Sequence, residues 1–202
     1  MGPTMEGAPQ ERQSWIEKII DSLLSHKQDG EPTGTPEEMI EEAGQKAFKI
    51  STALGLIPGP LGMAAILPEI AALTRLQINL IHRIAGHHRK QEKVSRELIL
   101  LILGNALGVA AGESLIRRVG SALVIKSVNT RVMRGIARIV GTRIIDTAAE
   151  KATGRWIPMI AAPLFGYLSR SLTRKIGREA NRLFSQEIVQ EMVPGLKQDG
   201  GA

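Results

Sequence analysis

The chain contains no cysteine, which excludes disulfides and thiolate metal sites and leaves nothing to mark an oxidising compartment, so a cytoplasmic location is expected. Aromatic residues are only 3% of the sequence, with one Tyr, three Phe and two Trp. They offer few platforms on which bases could stack, and no recognisable binding motif frames the arginines, so no specific nucleic-acid partner is expected. The core must then be built from Ile, Leu, Val, Ala and Gly, with helices approaching one another at small residues. Catalytic and nucleotide signatures are also missing: there is no GxSxG elbow, no Walker loop and no GxGxxG after a strand. PGPLG at 58–62 is glycine-rich but lacks the Lys and the Ser or Thr of a phosphate loop. Pro58, Gly59, Pro60 and Gly62 therefore read as a structural turn. The start, MGPTMEGAPQERQ, has neither the basic opening and apolar run of a secretory signal nor the acid-poor character of a transit peptide. Glu6 stands where a myristoylation signal needs Ser or Thr.

Long uncharged runs are scarce as well. One uncharged run, Leu98 to Gly112, spans fifteen residues, short of the roughly twenty that a helix needs to cross a bilayer. Charges close it on both sides, with Lys93, Arg96 and Glu97 before it and Glu113, Arg117 and Arg118 after it. Gly104, Gly108 and Gly112 recur within it at four-residue spacing, which on one helix makes a flat strip for close helix packing. No segment alternates apolar and polar residues convincingly at period two, so strands are not expected.

What is present fits one sizeable domain of a 202-residue chain. Residues 1–13 read as a disordered lead. In 14–28, Ser14 and Glu17 have capping-box spacing, and Trp15, Ile16, Ile19, Ile20, Leu23 and Leu24 fall on one face of an amphipathic helix. Residues 29–35 form a turn-rich linker, which makes that first helix separable, docking on the body or recruiting a partner. Thr35, Pro36 and Glu38 announce the next helix, running to about Pro58. A helix is expected from Glu69 to about His87, another from Ser95, and more with glycine interruptions over 113–150. WIPMIAAPLFGYL, 156–168, reads as a Pro-broken apolar segment before a closing amphipathic helix through Met192. The fold class is thus all-α: a compact multi-helix bundle over 36–193, with Gly-rich, Pro-interrupted apolar helices, then a flexible tail over 194–202.

Charge divides the chain. Residues 1–42 hold ten acids and three bases, whereas the remainder holds ten acids and twenty-three bases. A basic body points to an anionic partner, and the acidic front can also lie against it intramolecularly. Two basic stripes stand out: Arg131, Arg134 and Arg138 beside an apolar face, and the four-residue series Arg170, Arg174, Arg178 and Arg182. On an anionic membrane such faces would sit among head groups. The four histidines give no converging ligand set, since His87 and His88 point apart, so neither a metal nor a cofactor is expected. Glu69 and Glu113 lie beside apolar stretches without an acid or base spaced to pair with them, and read as helix-start acids stabilised by the dipole.

TALGLIPGPLGMAAILPEIAALTRLQINLIHRIAG, an apolar glycine-spaced helix and GRWIPMIAAPLFGYLSRSLTRKIGREANRLF follow one another in the chain. Over residues 40–190 this succession resembles the EcsC family and the related helical domains of unknown function attached to some membrane-associated bacterial GTPases. The resemblance implies an all-α, membrane-associated bacterial protein without established catalytic residues. The expectation is a non-enzymatic module on the cytoplasmic face of the inner membrane, meeting a membrane surface or membrane protein complex. Arg131, Arg134, Arg138, Arg170, Arg174 and Arg178 would contact anionic lipid. The alternative is a soluble bundle holding a lipid-like ligand in its apolar interior.

Overall fold

Thr35 shows why the body of the protein begins where it does. Its Oγ1 accepts from the Glu38 N–H at 3.3 Å while its own N–H donates to Glu38 Oε2 at 2.9 Å, a reciprocal cap that satisfies two donors left over at a helix start. In the computed structural model, which describes residues 32–57, 65–109, 116–119, 122–126, 135–140, 142 and 158–191, this cap opens α1, Pro36–Gly55. α2 is Ile66–His87, followed by a 3-10 turn at Gln91–Lys93 and α3, Arg96–Ala106. Strands β1, Ile116–Val119, and β2, Ala122–Lys126, come next, then a short helical segment at 135–140. α4, Pro158–Phe184, and β3, Glu187–Glu191, complete the described order. The expected helix at 14–28, the turn at Pro58, Gly59, Pro60 and Gly62, Gly112, Arg131, Arg134 and the tail at 194–202 lie outside the described residues.

The architecture is a helical bundle, as the apolar periodicity implies. α1 and α4 run antiparallel, joined at glycines. A methyl group added at Gly55 would meet Ala162 Cα at 3.2 Å, and one at Gly177 would meet Ile40 and Leu80 at 2.6 and 3.0 Å. α3 packs on α4, and Leu98 to Leu103 are all buried, from 0% to 3% exposed. A helix apolar all round belongs inside a core, and these residues share one buried cluster with Met39, Ile81, Ile84, Ile176 and Phe184. None of the described helices is long and apolar enough to cross a membrane.

α3 also corrects the glycine strip. It ends at Ala106, and Gly108 adopts φ +74° beyond its end, with the Val109 N–H donating to Gly104 O at 2.8 Å and the Gly108 N–H to Asn105 O at 3.1 Å. This is a Schellman terminator. Gly108 stops the helix instead of lining it, and a Cβ there would meet nothing within 4 Å. Gly104 alone faces a neighbour, with Val140 Cγ2 3.6 Å from a built Cβ. The close helix packing falls instead at Gly44, Gly55, Gly166 and Gly177, on the α1–α4 pair.

Two further corrections concern local structure. Strands do form: β1 pairs antiparallel with β2, and β2 pairs parallel with β3, in the order β1-β2-β3. They replace the helix expected through 117–126 and the end of the helix expected through Met192. Val124 and Ile125 are β-branched and suit a pleated surface, while Glu187 and Val189 are exposed and Ile188 is buried, a period of two. Secondly, α4 runs unbroken past Pro163. The proline stands exposed one turn and a half into the helix, between Ala162 and Phe165, both buried, and this packing outweighs the missing N–H. At the other end Lys90 Nζ donates to Phe184 O at 2.7 Å and Gln186 O at 2.6 Å, which satisfies carbonyls orphaned by the helix terminus.

Candidate functional site

Where α1, α2 and α4 meet, polar side chains are sealed inside the bundle. Glu69 of α2 is 3% exposed, Ser51 of α1 is 0% and Ser169 of α4 is 3%. Ser51 Oγ donates to Glu69 Oε1 at 2.6 Å and lies 2.6 Å from Ser169 Oγ. A serine has one hydroxyl proton, so with Ser51 donating to Glu69, Ser169 is the donor to Ser51. One turn further along α4, Thr173 Oγ1 accepts from Gln77 Nε2 at 3.3 Å. Glu69 is thus more than a helix-start acid: hydroxyls far from it in sequence hold it within the core. The cluster ties three helices together.

The outer face of α4 is different in kind. Leu164, Leu168, Ser171, Lys175, Arg178 and Arg182 recur at alternating steps of four and three, so they share one face. Its first part is apolar. Leu164 is 56% exposed, Tyr167 64% and Leu168 45%, and Leu56 at the end of α1, 52% exposed, lies at the same end of the bundle. Its second part is cationic, with Lys175 and Arg178 making no hydrogen bond or ion pair among the described residues.

The arginine series divides across this boundary. A four-residue step advances about 40° beyond a full turn of an α-helix, so the series winds around α4 instead of staying on one face. Arg170 and Arg174, on the side toward α1, both bind the Glu41 carboxylate. That pairing holds the Glu41 carboxyl well below its ordinary range, at about 2, with Arg174 the larger cause and Arg170 next. Arg178 and Arg182 make no ion pair with α1 among the described residues. Arg182 donates to both Glu179 oxygens, at 2.9 and 2.6 Å, and Glu179 also accepts from Asn105 Nδ2 at 2.9 Å; Arg182 foremost, then Asn105, lowers its carboxyl. Two of the expected lipid contacts, Arg170 and Arg174, are therefore engaged inside the molecule. Glu41, at the inner edge of the acidic front, thus lies against the basic body. Arg138 is exposed on the 135–140 segment beside Ile139, itself 49% exposed.

Between the start of α1 and the end of α4 lies a cleft of about 390 Å³. Glu37, Ile40 and Glu41 form the α1 wall. Arg174, Arg178 and Arg182 form most of the α4 wall, with Asn181 and Ser185 at its end. Asn181 is held on two sides, its Oδ1 accepting from His88 Nε2 at 2.7 Å and its Nδ2 reaching Glu37 Oε1 at 3.4 Å. The sequence pattern identified the arginines but not the opposite wall, because nothing local in the sequence sets Glu37 and Glu41 apart from the other acids of α1. Among known proteins, no family model, curated protein or solved structure matches this chain, so the functional reading rests on this geometry.

Proposed function

We propose that the protein is a non-enzymatic helical module that attaches peripherally to an anionic membrane, on the cytoplasmic face of the inner membrane, through the outer face of α4. One observation carries the reading: the exposed Leu164, Tyr167 and Leu168 continue along the same helix face into Lys175 and Arg178. Exposed apolar side chains grouped together and bordered by charge mark an interaction surface. Tyrosine, with an apolar ring and a polar tip, suits the depth at which lipid chains meet head groups. Each cation near an anionic leaflet adds about 1 kcal/mol of attraction. The same reading moves the lipid contact from Arg170 and Arg174, which hold Glu41, to Lys175 and Arg178.

Flotation with vesicles tests it. The protein should rise with vesicles containing phosphatidylglycerol and stay down with phosphatidylcholine alone, and the bound fraction should fall as salt is raised. Replacing Leu164 and Tyr167 by serine should reduce partitioning at least tenfold while leaving the thermal transition unchanged, because both side chains are already exposed. Equal recovery with neutral vesicles, or indifference to both substitutions, would overturn the proposal.

A further inference from the structure

The cleft between the start of α1 and the end of α4 has two walls of opposite chemistry, and that asymmetry selects a ligand. On one wall three guanidinium groups stand on successive turns of α4. Arg178 has all its donors open among the described residues, Arg174 spends only Nη2 on Glu41, and Arg182 spends Nε and Nη2 on Glu179. Forked donors of this kind match the oxygens of a phosphate group. A phosphomonoester brings about −1.5 to −2 of charge at pH 7 and three acceptor oxygens. On the other wall Glu37 can only accept, and its present partner, Asn181 Nδ2, is a long 3.4 Å away. A simple anion gains nothing from a carboxylate facing it. A ligand that carries hydroxyl groups beside its phosphate satisfies both walls, donating to Glu37 while the arginines hold the phosphate. Ile40 lies between them as an apolar surface for the carbon skeleton. At about 390 Å³ the cleft has room for a six-membered polyol bearing a phosphate.

We infer that this cleft binds a phosphorylated polyol, such as a sugar or inositol phosphate, with Arg178 on the phosphate and Glu37 on a hydroxyl. As the head group of a lipid, the ligand rests on the membrane reading above; as a free metabolite it does not.

Calorimetric titration of the full chain with inositol 1-phosphate, glucose 6-phosphate, inorganic phosphate and unphosphorylated inositol tests the site. At least one of the two polyol phosphates should bind at least tenfold tighter than inorganic phosphate, and unphosphorylated inositol should not bind measurably. Arg178→Gln should weaken polyol phosphate binding at least tenfold. Glu37→Gln should bring the affinities for the polyol phosphate and inorganic phosphate together. Backbone amide shifts in the unaltered protein give a reading that needs no variant: they should concentrate at residues 37–41 and 174–185. Inorganic phosphate binding as tightly as both polyol phosphates, an unaffected Arg178→Gln variant, or shifts elsewhere would overturn the inference. Vesicles containing phosphatidylinositol 4-phosphate, compared with phosphatidylglycerol at equal surface charge, separate the two sources. Preferential flotation on the former, together with soluble binding, supports the head-group form. Soluble binding without flotation supports a free ligand and removes the membrane reading. Equal flotation on both without soluble binding overturns the cleft and leaves the membrane reading standing.

Discussion

Ser51 is the residue on which the internal polar cluster turns, because its single hydroxyl both donates to Glu69 and receives from Ser169. Ser51→Ala removes both bonds at once inside a dry interior. Loss of a partner from buried polar groups costs about 1–3 kcal/mol, and for a chain of this size each kcal/mol moves the melting temperature by roughly 2–4 °C. Thermal melts should show that loss, whereas Ser185→Ala, at an exposed hydroxyl, should shift the transition hardly at all. Gly166 is the complementary case. A methyl group there would press on Thr52 Oγ1 and sit 2.9 and 3.0 Å from the Phe48 ring carbons, and neither neighbour lies at the free end of a flexible chain. Gly166→Ala should therefore lower stability by about 1–3 kcal/mol, the usual cost of overpacking, measured by denaturant titration. Neither effect can be read from the sequence. Ser51 and Ser169 are small polar residues in amphipathic segments, and only the antiparallel pairing of α1 with α4 brings them to Glu69.

At the scale of elements, the ion pairs within and between α1, α2 and α4 set the response to acid. Glu41 has its carboxyl lowered from 4.5 to about 2. Glu42 is lowered by Lys46 first and then Arg83, and Glu179 chiefly by Arg182. A carboxyl whose folded value lies below its unfolded one stabilises the fold above the unfolded value and loses that contribution as pH falls toward the folded value. The melting temperature should accordingly be steady above about pH 4.5 and fall between there and pH 2, and Glu41→Gln should flatten part of that fall. A variant whose acid limb matched that of the unaltered protein would show that the Glu41 bridge contributes nothing to it. These elements were unequally legible. Helix starts carry local chemistry, so Thr35 with Glu38, and Ser95, were readable as caps. The stop of α3 was less so, because Gly108 looked like a member of a spaced series and its φ of +74° is a property of the folded backbone. The strands were missed although a signal was present. Gly120 and Ser121 stand between β1 and β2 in the sequence, a pair favoured in tight hairpins, but Arg131, Arg134 and Arg138 further along recur at helical spacing and drew the whole stretch into a helical reading. β3 pairs in parallel with a strand more than sixty residues earlier, and such a pairing leaves no local trace.

For the molecule as a whole, the membrane reading makes a geometric demand on α4. Leu164 and Arg178 are fourteen residues apart, about 21 Å along a helix. For the apolar end to enter lipid while the cationic end stays at the head groups, the axis must lie nearly flat, with the Leu164 end lower. An interfacial apolar face sinks roughly 5–10 Å below the boundary, which over that length corresponds to a tilt of about 20°. The absence of cysteine makes this measurable, since one introduced thiol is the only one to label. Nitroxide labels at Leu164→Cys, Tyr167→Cys, Lys175→Cys and Arg178→Cys should report depths that decrease in that order on phosphatidylglycerol vesicles. Asn105→Cys, on a helix packed behind α4, should stay out of contact with lipid. A uniform depth at the four α4 sites would mean that the helix lies level, and greater depth at Arg178 than at Leu164 would reverse the orientation. Contact at Asn105 instead of at α4 would place the membrane on another side of the bundle altogether. The sign of the depth gradient decides, because apolar burial and charge attraction act at opposite ends of one rigid helix and only one tilt satisfies both.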